Sequence, residues 1–174
     1  YALDLGAELL LGSGVHDFLM HGGRSSVIAL GRRASESGWS VGIRDPLREG
    51  KRLGQVMLHN AALSTSGAGS QFFRHGGRRY GHILDPRTGH PAEGLLSTTV
   101  ISPAAAEADA LSTAFYVLGL EGATRYCQEH PHVSAVLVTP GGDVGGMSVW
   151  TLGDAGECFE ADPEAPQPRE LPRE

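Results

Sequence analysis

"LSTTVISPAAAEADALSTAFYVLG", residues 96–119, decides how the rest of the chain is read. Its first eight residues are small and β-branched, close at Pro103, and predict a strand. From Ala104 the composition changes to alanine, glutamate and leucine, strong helix formers, and the run stops at Gly119. On the predicted helix 104–119, Asp109 and Thr113 are four residues apart, so their oxygens project from one face. A carboxylate and a hydroxyl so placed can hold one hard cation, which takes oxygen ligands at short range. The same spacing also fits a solvated helix aspartate beside an ordinary helix threonine, and spacing alone does not choose between the two.

Upstream, "DFLMHGG" (17–23), "SSVIALG" (25–31), "WSVGIRDP" (39–46) and "RLGQVMLHN" (52–60) read as strands, the last two stopped by Asp45-Pro46 and Asn60. "YGHILDP" (80–86) reads as another, next to the turn "PRTGHPAEG". Downstream, a helix over about 121–130 precedes strand "VSAVLVTP" (133–140), a "GGD" turn and strand "GMSVWTL" (146–152). At the start, Ala2, Leu3, Leu5, Leu9 and Leu10 fall roughly on one helical face, and Gly12 to Gly14 end that helix. "ALSTSGAGSQFF" (62–73) is small and glycine-rich, suited to close backbone approach by a ligand. A sheet with three helices and no internal repeat is an α+β or mixed α/β fold.

The 174 residues suit one domain with a substantial core. The net charge of -6 is uneven: residues 154–174 hold seven acids and two arginines, whereas 1–153 hold 13 acids and 12 bases. A near-neutral body argues against broad nucleic-acid binding. The acidic, proline-rich stretch 154–174 reads as a disordered tail, which leaves 1–153 as the folded unit. Cys127 and Cys158 lack metal or disulfide spacing, and Cys127, inside a predicted helix, reads as a buried small hydrophobe. No apolar run approaches the ~20 residues of a membrane span, so the domain itself is not expected to contact a membrane. The chain opens inside a helical pattern without a methionine and reads as part of a longer protein, so a missing signal segment says nothing of localisation.

"RRYGHILDPRTGHPA" (78–92) carries the second concentration of functional groups. Arg87, Thr88 and the Gly89 amide suit phosphate oxygens. His75, His82, Asp85 and His90 are alternatively readable as transition-metal ligands, although no short Cys/His pair anchors them. Plain turn chemistry at Asp-Pro-Arg-Thr-Gly is the third reading. The glycines of "HGGRSS" (21–26) allow close approach or a tight hairpin, and "STSG" (64–67) offers hydroxyls near a phosphate.

Taken in order, "YALD", "GGRSSVIALG", "WSVGIRDP", "ALSTSG", "RRYGHILDPRTGHPA" and "VISPAAAEADALSTAFYVLG" closely resemble the ApbE family, the FAD:protein FMN transferases, from Tyr1 to about Leu152. The most specific matches are "YGHILDPRTG", similar to the family's Tyr-Ser-His-Ile-Ile-Asp-Pro-Arg-Thr-Gly, and "ADALSTAFYVLG". The resemblance implies an ApbE-like, T-fold-like sheet with packed helices. It also implies an activity: Mg²⁺-dependent transfer of the FMN half of FAD to a threonine or serine of a target flavoprotein, with release of AMP.

By that resemblance Asp109 and Thr113 are the magnesium ligands, and His82 stands beside the reacting phosphates. Gly22, Gly23, Ser64, Thr65, Ser66, His82, Ile83, Asp85, Arg87 and Thr88 line the FAD site. The family also suggests a bacterial protein, often a lipoprotein on the periplasmic side of the inner membrane. Arg24 departs from the family, which has aspartate there in many members, so no role is carried over to it. The family's remaining FAD contacts and a backbone-carbonyl magnesium ligand fall in a segment before the tyrosine at which this chain starts, so the chain alone is expected to be a poor transferase. FAD hydrolysis to FMN and AMP, or FAD binding without turnover, are the competing functions.

Overall fold

The computed structural model describes residues 1–23, 25–67, 72–141 and 146–171. Arg24 lies outside the described residues. Helix α1 (Ala2–Gly12) leads into strands β1 (Phe18–Gly22), β2 (Ser26–Leu30), β3 (Trp39–Arg44), β4 (Arg52–Leu58) and β5 (Ala61–Gly67). After these come the hairpin β6 (Phe72–His75) and β7 (Arg78–Gly81), strand β8 (Ser97–Ser102) and the long helix α2 (Ala105–Glu129). Strands β9 (Ser134–Pro140) and β10 (Met147–Leu152), the short α3 (Ala155–Cys158), and strands β11 (Phe159–Ala161) and β12 (Arg169–Glu170) complete the chain.

A seven-stranded sheet runs β1-β2-β5-β8-β9-β10-β12, antiparallel throughout except for the β10–β12 pair. It is buried on both faces, because apolar residues alternate between two cores. Val100, Ala135 and Leu137 join one core with Phe115, Tyr116 and Ala123 of α2. Their neighbours Ile101, Val136 and Val138 join the other, with Leu53, Val56 and Leu58 of β4. The molecule is therefore three layers: helices, large sheet, and a small sheet β11-β4-β3. The period of two along β8 and β9 feeds both cores, so neither strand tolerates a one-residue slip of register.

The predicted strand-to-helix unit is present, and Gly119 does interrupt the helical run. Its φ of 74° and ψ of -174° belong to a region that only glycine enters freely. The chain doubles back there, since Phe115 and Tyr126 meet edge to face at 5.4 Å. Eleven residues of straight helix would hold them about 16 Å apart. Arg87 Nη2 donates to the Val117 carbonyl at 3.3 Å, satisfying an acceptor at the end of the first half.

Three expectations change. The predicted strand 80–86 is pairing only as far as Gly81, followed by an isolated Leu84–Pro91 bridge. Pro86 and Pro91 have no N–H to extend a ladder, and the segment closes instead through Asp85 N to His90 O at 2.8 Å and Ala92 N to Ile83 O at 2.9 Å. The glycine-rich run expected to suit close backbone approach by a ligand is, from Ala62 to Gly67, part of strand β5, with its backbone already paired to β2 and β8. Residues 68–71 lie outside the described residues.

The third change is the acidic tail, which is folded through residue 171. Ala155, Phe159 and Ala165 are buried against β4 and its neighbours, and β11 pairs with β4. Composition misleads there because the acids meet partners from elsewhere: Lys51 Nζ lies 3.7 Å from Glu164, Arg52 Nη2 lies 3.4 Å from Asp162, and Gln55 Nε2 donates to Glu160 at 3.0 Å. Arg169 stacks over Trp150, 5.5 Å from the ring centroid. Residues 172–174 lie outside the described residues.

Candidate functional site

The site forms where β5 crosses the first half of α2. Alternate residues on a strand are about 6.7 Å apart, and residues four apart on a helix rise about 6 Å. Ser64 and Ser66 therefore fall in step with Asp109 and Thr113. Ser64 Oγ donates to Asp109 Oδ1 at 2.9 Å, and Ser66 Oγ lies 2.9 Å from Thr113 Oγ1. Ser26, opposite Ser64 in the β2–β5 register, donates to the same Asp109 Oδ1 at 3.0 Å. Ser112 adds a further hydroxyl, 2.9 Å from Ser66 Oγ.

Counting protons orders this network. Ser112 Oγ donates to the Asp109 backbone carbonyl at 2.9 Å, so its only proton is used. Ser66 must then donate to Ser112, and Thr113 to Ser66, a one-way chain that leaves the Thr113 lone pairs uncommitted to it. Around Asp109, an ionised carboxylate only accepts. Both serine protons therefore go to Oδ1, and the 3.1 Å Ser26–Ser64 contact has no hydrogen to share. The cluster has more acceptor lone pairs than protons, and those of Asp109 and Thr113 are on its exposed side. Thr98, opposite Ser66 in the β5–β8 register, is fully buried and its hydroxyl has no partner among the described residues. Ser64 and Ser112 are fully buried, whereas Asp109 and Thr113 are exposed, so the cluster is anchored on its inner side and open on its outer side.

The donor set is oxygen throughout, which fits a hard cation such as Mg²⁺ and not a soft one. The transition-metal alternative fails: among the described residues no three His, Cys, Asp or Glu side chains come together to hold a metal.

The other predicted residues divide. Gly22 pairs with Ser26, so the Gly22-Gly23 turn closes the β1–β2 hairpin beside the cluster. Thr65 does not join it: its hydroxyl lies 2.9 Å from Thr99 Oγ1, on the face of the sheet away from Ser64 and Ser66. Ile83 is a core residue packed among the helix-layer side chains, so only its backbone is placed to line a pocket. His82, between the end of β7 and that buried isoleucine, is exposed.

Asp85 and Arg87 are engaged with each other, Nη2 to Oδ2 at 2.7 Å and Nε to Oδ1 at 2.9 Å. Hydrogen bonds from the Arg87 side chain and then its backbone amide hold the Asp85 carboxyl below the usual range, and Asp85 raises the guanidinium in return. Arg87 thus braces the turn against α2, and Thr88 Oγ1 accepts from the His90 amide at 3.2 Å within the same turn.

Sequence reasoning missed Ser26, Ser112 and Asp4. Nothing in "GGRSS" reveals that Ser26 faces Asp109, because that depends on strand register. Asp4 bonds the α2 N-terminus from a different helix, accepting from Ala105 N at 2.6 Å and Ala106 N at 3.0 Å.

An α+β protein with an oxygen-lined cluster between a central strand and a kinked helix is the class that this geometry defines. The model of the ApbE family matches residues 1–137, and the chain belongs to that family. It is 41% identical over 104 residues to the FAD:protein FMN transferase of Treponema pallidum (strain Nichols), covering 59% of this chain and 29% of that one. It is 37% identical over 144 residues to the FAD:protein FMN transferase of Rhodobacter capsulatus, covering 82% and 27%. The crystal structure of Pseudomonas stutzeri flavinyl transferase ApbE, apo form, superposes with a TM-score of 0.75 at 33% identity, over 93% of this chain and 49% of that one. The chain thus spans half or less of the length of these relatives.

Proposed function

We propose that this chain forms the metal-binding wall of an FAD:protein FMN transferase, which moves FMN from FAD onto a serine or threonine of a target flavoprotein and releases AMP. The observation that carries it is the convergence of Asp109, Thr113, Ser64, Ser66 and Ser26 into one all-oxygen cluster. Family membership supports flavin as the substrate class.

Asp109 and Thr113 would hold Mg²⁺. Once bound, such an ion neutralises phosphate charge in an in-line displacement. The acceptor hydroxyl oxygen forms a phosphoester with the FMN-side phosphorus, and the bond from that phosphorus to the AMP phosphate breaks. His82 takes the hydroxyl proton or holds the phosphate. The Gly22-Gly23 turn and the backbone of 83–88 line the dinucleotide, Arg87 being kept rigid by Asp85.

Incubating the intact protein with FAD, Mg²⁺ and a threonine-containing acceptor protein tests this. The expected products are covalently flavinylated acceptor and AMP, with most activity lost in Asp109→Asn at unchanged circular dichroism. Free FMN plus AMP with an unlabelled acceptor would make it a pyrophosphatase, and FAD binding without turnover a binding module. Either result refutes the proposal.

A further inference from the structure

We infer that Ser26 and Ser64 are positioning residues for Asp109, fixing which of its two carboxylate oxygens is presented to a divalent cation. The inference rests on the proposed role of Asp109 as a metal ligand and gives Ser26, and Ser64 of the expected FAD-lining set, a task behind that ligand.

The geometry is specific. Two hydroxyls from two different strands donate to one oxygen, Ser26 at 3.0 Å and Ser64 at 2.9 Å, both to Oδ1. A carboxylate oxygen offers two lone pairs in its plane, and both are taken. Ligation therefore falls to Oδ2, and the carboxylate cannot spin without breaking both bonds. The two serines face each other in register across β2 and β5, so their spacing is set by the sheet and not by flexible side chains. Ser64 is fully buried and has Asp109 and Ser26 as its hydroxyl neighbours, so its rotamer is fixed by the same contacts. A ligand held in one orientation before the cation arrives loses less side-chain freedom on binding, which is why partners behind a metal ligand set affinity.

Ser64→Ala and Ser26→Ala remove one donor each. Ser26→Thr keeps the hydroxyl, at a half-buried position at the start of β2. Asp109→Asn removes the ligand. The primary readout is the dissociation constant for Mn²⁺ alone, by electron paramagnetic resonance of the free ion, with thermal unfolding in metal-free buffer as the control for folding. In the intact protein, the KM for Mg²⁺ is compared with kcat.

The expected result is that each alanine variant weakens Mn²⁺ binding by about 10-fold or more, as is typical for loss of a partner behind a ligand. The effect should appear in the KM for Mg²⁺ rather than in kcat at saturating metal, and Ser26→Thr should bind Mn²⁺ as the parent does. If Ser64→Ala fails to fold, Ser26→Ala decides alone. Parent-like Mn²⁺ affinity in the folded alanine variants, with binding lost in Asp109→Asn, overturns the positioning role and leaves the metal assignment standing. Parent-like affinity in Asp109→Asn, or no Mn²⁺ uptake by the parent, overturns both.

Discussion

Replacing Asp4 with alanine is the most direct test of how this chain holds its site-bearing helix in place. The α2 N-cap residue, Ala104, has no side chain with which to cap. Its first amides are instead bonded by a carboxylate 101 residues away, Ala105 N to Oδ1 at 2.6 Å and Ala106 N to Oδ2 at 3.0 Å. Losing a capping side chain costs about 0.5–2 kcal/mol, and losing a negative charge at a helix N-terminus about 0.3–1 kcal/mol more. Asp4 is only 24% exposed, so water compensates the freed amides incompletely and about 2 kcal/mol is the expected loss. For a chain of this size that lowers Tm by roughly 4–8 °C, and Asp4→Asn, which keeps one acceptor, should lose about half as much.

The pH dependence has a definite sign. Burial pushes the Asp4 carboxyl upward, but the hydrogen bonds it accepts, those of the Ala105 and Ala106 amides among them, outweigh it, and the net shift is below the ordinary 3.8. Its contribution is therefore complete at neutral pH and disappears as pH falls through the lowered folded value. Thermal unfolding by circular dichroism at pH 7 and again near pH 3 gives the measurement. The gap between parent and Asp4→Ala should narrow in acid. Equal Tm at pH 7, or a gap that widens in acid, refutes the reasoning.

Other outcomes follow from the same structure. His82→Ala should lower flavin-transfer turnover by about 10²–10⁴-fold if the imidazole takes the proton; a loss confined to FAD affinity would make it a binding residue, and no change would remove it from the site. Phe159→Ala should destabilise by about 3–5 kcal/mol in denaturant unfolding, since the ring is buried in the β4 core; a neutral result would return residues 154–171 to the status of a loose tail. Gly54→Ala should lower Tm, because an added Cβ would run into the Glu160 carbonyl and come within 2.8 Å of Ala161 Cα across the β4–β11 pair. Burial pushes the Cys127 thiol up to about 12, so iodoacetamide at pH 8 should spare it until the protein unfolds, and rapid labelling of native Cys127 would contradict its place on the buried face of α2.

Much of the fold is legible in local pattern. The strand-to-helix unit 96–119, the alternation of β9 and β10, and the stop at Gly119 are each set by residue types within a few positions, through side-chain period and backbone freedom. Cys127 likewise reads as buried from its helical surroundings and is so. The pairing of Asp109 with Thr113 also follows from helical geometry alone. What the helix meets does not. Ser26 and Ser64 reach Asp109 only because β2 lies beside β5 in one particular register, and β5 under α2, relations between residues 83 and 45 positions apart in the chain. Thr65 belongs to the same short motif as its neighbours, yet the pleat sends its hydroxyl to the other face.

The tail shows the same limit from the side of charge. Composition reads residues 154–174 as repelling acids, but Lys51 just before β4, and Arg52 and Gln55 on it, sit opposite them, and three small or aromatic side chains supply enough burial to hold the segment down. Asp4 is the clearest case, a helix cap whose helix begins a hundred residues later. Period and propensity act over one turn or one strand, so the sequence by itself determined such local units as 96–119, β9 and β10. Hydrogen bonds and burial depend on distance in space, so only the tertiary structure decided which oxygens share a site and which acids find partners.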